Sequence, residues 1–206
     1  MERDGLASHG LGRKQEVAIM RKKLELLATV GVTAAGTCAL LKAAGAPPNV
    51  EGLMPFVLTL GIAAGPATGF ANGAIARALF DCYQGWTGWW TLLTASAYGL
   101  VGLGAGLAHG VKTTWSRLEL AALGAALTIV YDVVTMLAFG PLMGFSLATS
   151  IAGQIPFTIN HLLSNTVLCF VLAPALLSLM QSHLQAVDAP SVVATPVPCK
   201  TTTQDQ

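Results

Sequence analysis

Long apolar runs alternate with short polar breaks from residue 24 to residue 181. Four runs are about twenty residues each, the length an α-helix needs to cross the hydrocarbon of a bilayer. They are Leu24–Ala44, Trp89–Ala108, Leu118–Phe139 and Thr158–Met180. Between the first two lies EGLMPFVLTLGIAAGPATGFANGAIARALFDC (51–82), too long for one straight span and interrupted at its centre by AAGPATG. Glycine and proline break helices, so this stretch predicts two shorter helices, 52–65 and 67–81, divided at Gly65-Pro66. The expected fold is all-α, an integral membrane bundle of six transmembrane helices over residues 24–181. The apolar stretch GPLMGFSLATSIAGQIP (140–156) is cut by Gly140-Pro141 and Ile155-Pro156. It is expected as an external, partly re-entrant connection, with a seventh span as the competing reading. Residues 1–23 form a basic N-terminal segment, and the Pro- and Thr-rich tail 187–206 is expected to be disordered.

Composition agrees with a membrane bundle. Of the 206 residues 53% are apolar and 10% charged, against about 25% charged in soluble domains. A net charge of +1 with no basic stripe gives no footing for nucleic acid. Cys38, Cys82, Cys169 and Cys199 are scattered without a CxxC pair, which fits small packed thiols better than metal or redox chemistry. Arg21–Lys23, the apolar run and AAGAP (43–47) imitate a signal peptide, but the polar stretch in front is long for one. A retained first helix is the expectation.

Charge then sets the orientation. Six of the eleven Lys and Arg fall in the first 23 residues, and Lys112 and Arg117 flank a later loop. Basic loops stay in the cytoplasm, which requires an even number of crossings between these groups. Splitting the chain at Gly65-Pro66 gives four. Both termini are therefore expected in the cytoplasm of a multi-pass cell-membrane protein, with Lys42 as the base on the external loops.

Polar residues inside the apolar runs gather at one level. Thr158, His161 and Asn165 recur at i, i+3 and i+7 and share a helical face, with Asn160 in the same polar turn. Asp132 lies fourteen residues into the fifth helix, about 21 Å along its axis, and Thr128, Thr135 and Tyr131 accompany it. The fourth helix adds Thr91, Thr94 and Tyr98 at similar depth. An ionisable side chain in lipid costs roughly 2.5–3.5 kcal/mol or more, so Asp132 and His161 should face the bundle interior or a wet cavity. They either pair to lock two helices together or line a ligand cavity open to the outside. Trp86, Trp89 and Trp90 read as interfacial anchors or as a roof stacking on a planar ligand. Arg77 and Asp81, at i and i+4, read as an ion pair, with Asp81 as an alternative ligand contact. The candidate solute contacts are Asp132, His161, Asn165, Thr158, Tyr98, Trp89, Asn160, Tyr131 and Thr135. Gly31, Ala35 and Ala39 give the first helix a flat small-residue face, suited to packing in the bundle or to docking on a partner membrane subunit.

Chemistry signatures are missing. GLGAG (102–106) lacks the GK[ST] of a nucleotide loop, and neither HExxH nor Gly-x-Ser-x-Gly occurs. No cofactor is expected and the chain is not expected to be an enzyme. The rival readings are a small membrane enzyme using Asp132 and His161 as acid and base, and a structural membrane subunit in which they only tie helices.

The stretch 51–81 resembles the second and third helices of the substrate-binding S components of energy-coupling factor (ECF) vitamin transporters. The matching positions are Pro55, Gly65, Pro66, Gly69, Gly73 and Asp81. The fifth helix, GQIPFTINHLLSN (153–165) and APALL (173–177) are similar to that family's C-terminal part, so the resemblance covers about residues 24–181. It implies a six-helix protein that binds a small water-soluble vitamin or related micronutrient from outside and has no nucleotide site of its own. It also implies a transmembrane coupling subunit and two cytoplasmic ATPase subunits as partners, which drive import by toppling the binding protein in the lipid. By the same resemblance Ala35 and Ala39, extended by Gly31, would dock on the coupling subunit, although Ala28–Val32 matches that pattern less well. Ligand contacts would come from the first external loop and helices four to six, with KAAGAPPNVEG (42–52) as a gate. Thiamine-like, pyrimidine, flavin and corrinoid solutes all remain open.

Overall fold

Gly65 and Pro66 reverse the chain in a single step. Gly65 has φ of 94°, a left-handed region open to glycine. Pro66 takes the first helical position, where a missing N–H leaves nothing unpaired. The computed structural model describes residues 2–185 apart from 86 and 113. Those residues form six helices and no strand: α1 (Glu2–Ala43), α2 (Leu53–Ala64), α3 (Pro66–Tyr83), α4 (Trp89–Leu107), α5 (Arg117–Leu142) and α6 (Leu147–Gln185). The helical break expected at Gly65-Pro66 is where the chain turns. The tail 187–206 and Trp86 lie outside the described residues.

Four segments are long and apolar enough to cross a membrane: Gln15–Ala43 of α1, α4, α5 and α6. α2 has 12 residues, all of them buried, and forms the centre of the bundle. α3 has 18 residues and buries Arg77 and Asp81 on its inner face.

Two helices run past their expected starts. α1 is continuous from Glu2, so the basic segment, from residue 2 on, and the first apolar run are one 42-residue helix. α6 begins at Leu147 and carries Pro156 in its interior. The stretch from residue 147 to 156 is thus neither re-entrant nor a seventh span but the opening turns of the 39-residue α6. Proline removes one backbone donor there without ending the helix.

Glycines bring α3 and α4 together. A Cβ on Gly69 would strike the carbonyl of Gly102, and one on Gly73 the carbonyl of Tyr98. In lipid, such close approach supplies the packing that hydrophobic burial supplies in water. Along α5 and α6, Gly124 meets Cys169, Thr128 meets Asn165 and Asp132 meets His161. Each step of four along α5 matches a step of four backwards along α6, so the two run antiparallel in strict register.

The small-residue face of α1 turns inward. Gly31 and Ala35 are buried and Ala39 is half-buried. Gly31 looks onto Asn72 and Ile75 of α3. Val30, Ala34 and Cys38 are buried beside them, so the interior of this chain already occupies the face expected to dock on a partner. The outward face of α1 carries Leu24, Val32 and Leu40 instead.

The antiparallel order places the connections 44–52, 84–88 and 143–146 at one end of the bundle. The Gly65 turn and the 108–116 connection lie at the other. There His109 donates from Nδ1 to the Ile62 carbonyl at 2.7 Å, satisfying an acceptor in the last turn of α2.

Candidate functional site

The connection between α1 and α2 folds back onto the helices. Its Gly52 N–H donates to Cys38 Sγ at 3.2 Å, and Ser164 of α6 donates to the Asn49 carbonyl at 3.1 Å. Asn49 has φ of 66°, a conformation asparagine tolerates better than most residues. At the end of this connection stands Glu51, 7% exposed. Arg77 of α3 donates from Nη1 to both Glu51 oxygens at 3.0 Å, and Tyr98 of α4 donates to Oε2 at 3.3 Å. Burial works against the charged carboxylate. The Arg77 charge, with the hydrogen bonds from Arg77 and Tyr98, outweighs it and holds the Glu51 carboxyl below its usual range.

Arg77 serves a second carboxylate. Its Nε lies 2.9 Å from Asp81 Oδ1, one helical turn on, and Thr94 of α4 donates to Asp81 Oδ2 at 2.7 Å. One guanidinium therefore ties the α1–α2 connection, α3 and, through its partners, α4. The i, i+4 pair expected from sequence supplies two members of a three-residue cluster.

The second cluster joins α5 to α6. His161 Nδ1 is 2.8 Å from Asp132 Oδ1. A carboxylate cannot donate, so the imidazole proton sits on Nδ1. Four residues deeper, Asn165 donates from Nδ2 to Thr128 Oγ1 at 3.0 Å. Thr128 spends its own proton on the Gly124 carbonyl at 2.8 Å, which fixes the amide orientation. Tyr131 stacks between the clusters, 4.5 Å from the Tyr98 ring and 5.7 Å from the His161 ring.

Between the clusters is a cavity of about 490 Å³, within the range of small-molecule sites. Its charged lining is Glu51, Arg77, Asp81 and Asp132, with Lys42 and His161 also on the wall. Its apolar lining is Pro48, Trp90, Tyr131, Phe139 and Phe157, and Asn49, Gln84, Gln154 and Thr135 complete it. Asp132 Oδ2 and His161 Nε2 are buried here with no hydrogen-bond partner among the described residues, as is Asn49 Nδ2. Buried polar atoms are rarely left unpaired, and Asn72, Trp115, Asn165 and His183, away from the cavity, also leave atoms without a hydrogen-bond partner among the described residues.

Of the nine candidate contacts, Asp132, His161, Tyr131 and Thr135 line this cavity. Tyr98 is fully buried and supports Glu51 from behind. Asn165 is fully buried below the Asp132–His161 pair. Thr158 is half-buried and accepts from Gln154 at 3.3 Å. Asn160 is exposed on the outer face of α6. Trp89 is 50% exposed and stacks on Phe139 at 6.2 Å, so its neighbour Trp90 reaches the cavity instead. The other eleven lining residues, Glu51, Arg77 and Trp90 among them, are absent from the nine candidates. The one hint available for Glu51 was its place at the end of the suspected gate. Among the described residues no group of three or more His, Cys, Asp or Glu side chains is arranged to hold a metal ion. The arrangement sets the buried Asp132–His161 pair among aromatic walls, which suits directional binding of a small polar solute. No protein-family model, no curated protein and no solved structure matches this chain.

Proposed function

We propose that this protein is a solute-binding membrane subunit of the ECF S-component kind, taking a vitamin or related micronutrient from the external side. Asp132 and His161, buried residues that pair with each other and line a cavity of about 490 Å³, carry the reading. In this reading all six helices cross the bilayer and the termini are cytoplasmic. The basic α1 segment and the Lys112–Arg117 connection then lie inside, as basic loops prefer. The cavity lies at the opposite end, facing out.

The α1–α2 connection acts as the lid. Glu51 pins it to Arg77, and the Asn49 carbonyl pins it to Ser164. Solute binding in the cavity beneath it holds the lid down. A coupling subunit with two ATPases supplies the driving force, since the chain has no nucleotide loop. Such a partner would meet the outward surface of α1 rather than the Gly31–Ala35 face.

Mass spectrometry of the protein purified from its native membrane tests this. A small polar molecule should accompany wild-type protein and be absent from Asp132→Ala and His161→Ala. Retention by both variants, or its absence from wild type, would reject the reading.

A further inference from the structure

Building on the solute-binding reading, we infer that the cavity selects a small planar cation carrying N–H donors, held by the carboxylate of Asp132 and packed against Trp90 and Phe139. Three carboxylates line the cavity: Glu51, Asp81 and Asp132. They are 7%, 1% and 2% exposed. One buried guanidinium faces them, and Arg77 is committed to Glu51 and Asp81 together. That cluster alone leaves one uncompensated negative charge. Lys42 is half-buried on the wall, and among the described residues no ion pair joins it to any of the three.

Asp132 has His161 as its partner, through one oxygen alone. Its second oxygen is buried without a donor among the described residues, and a carboxylate oxygen accepts whatever the state of the imidazole. An anionic solute would bring a like charge against it in a site of low dielectric. A neutral solute would leave the excess charge in place. A cation compensates the charge.

Shape points the same way. Trp90 and Phe139 stand edge to face at 4.8 Å between ring centroids, and both line the cavity beside Tyr131 and Phe157. Aromatic faces attract cations through the ring quadrupole and accept flat rings by stacking.

The test uses three probes of one shape on full-length protein in detergent: benzamidinium, benzamide and benzoate at millimolar concentration, measured by calorimetry and saturation-transfer NMR. The inference expects benzamidinium to bind at least about tenfold more tightly than the other two. It expects that preference to vanish in Asp132→Asn protein that still elutes as a single species. Equal affinities, a preference for benzoate, or no binding by any probe to wild type would overturn the inference. The solute-binding reading is judged separately by the copurified molecule. If that molecule is present but anionic or neutral, the charge preference fails and the binding function stands.

Discussion

His161 Nδ1 and Asp132 Oδ1 lie 2.8 Å apart across the α5–α6 interface, while the other polar atom of each side chain is buried and unpaired among the described residues. A pair used only to fasten two helices would be expected to exhaust its hydrogen-bonding capacity. This one stabilises the interface and keeps half its capacity for something else. Removing one member leaves the other buried without its partner, which costs about 1–3 kcal/mol. Asp132→Ala is therefore expected to lower thermal stability in detergent by that order. The double change Asp132→Leu/His161→Leu, which leaves no stranded polar group, should lose clearly less while abolishing solute binding. A double variant as unstable as the single would show that the pair's worth lies elsewhere.

Glu51 fastens the α1–α2 connection through Arg77 and Tyr98. Glu51→Gln keeps the shape and removes the charge, so hydrogen exchange over residues 45–52 should accelerate several-fold while α2 stays protected. The pH dependence follows from the lowered carboxyl. A depressed acid contributes its full stabilisation above its ordinary value of about 4.3 and loses it as pH falls through the lowered one. Wild-type protein should thus keep the connection closed at neutral pH and release it as pH falls below the ordinary carboxyl range. The Gln variant should be open across the range. Equal protection in both proteins at pH 7 would remove Glu51 from the closing role.

Asp132 and His161 were legible in the sequence because ionisable groups stand out in apolar runs and helical spacing says which residues share a face. Glu51 was not, because a carboxylate in a polar connection is unremarkable until folding brings it to a guanidinium 26 positions away. Trp89 and Trp90 are neighbours about 100° apart on a helix, and nothing local says which one faces the cavity. The α2–α3 turn was legible from Gly65-Pro66. Pro141 and Pro156 carry the same signal, yet both sit inside helices. A proline omits one hydrogen bond, and whether the helix continues depends on its neighbours. The inward turn of Gly31 and Ala35 was open for a similar reason, since a small-residue face looks the same whichever helix covers it.

The orientation can be read chemically. Ala44 and Val111 are exposed at opposite ends of the bundle. In a Cys82→Ser/Cys199→Ser background, Ala44→Cys should react with a membrane-impermeant maleimide on intact cells. Val111→Cys should react only after lysis. Cys38 and Cys169 are buried and should stay silent in both cases. Labelling of Val111→Cys alone on intact cells would invert the assignment and place the cavity on the cytoplasmic side.

Two glycine substitutions separate packing from helix propensity. Gly73 sits where α3 meets α4, and a Cβ there would run into the Tyr98 backbone. Neither helix can give way without moving Tyr98, which supports Glu51, or Thr94, which supports Asp81. Gly73→Ala should therefore destabilise the protein by about 1–3 kcal/mol and weaken solute binding with it. Gly153 lies on an exposed turn of α6, where an added methyl group would meet nothing within 4 Å. There alanine should add up to about 1 kcal/mol through helix propensity alone and leave binding unchanged. Thermal unfolding of the two variants side by side checks both signs. If Gly73→Ala is as well tolerated as Gly153→Ala, the α3–α4 contact does not fix the position of the site.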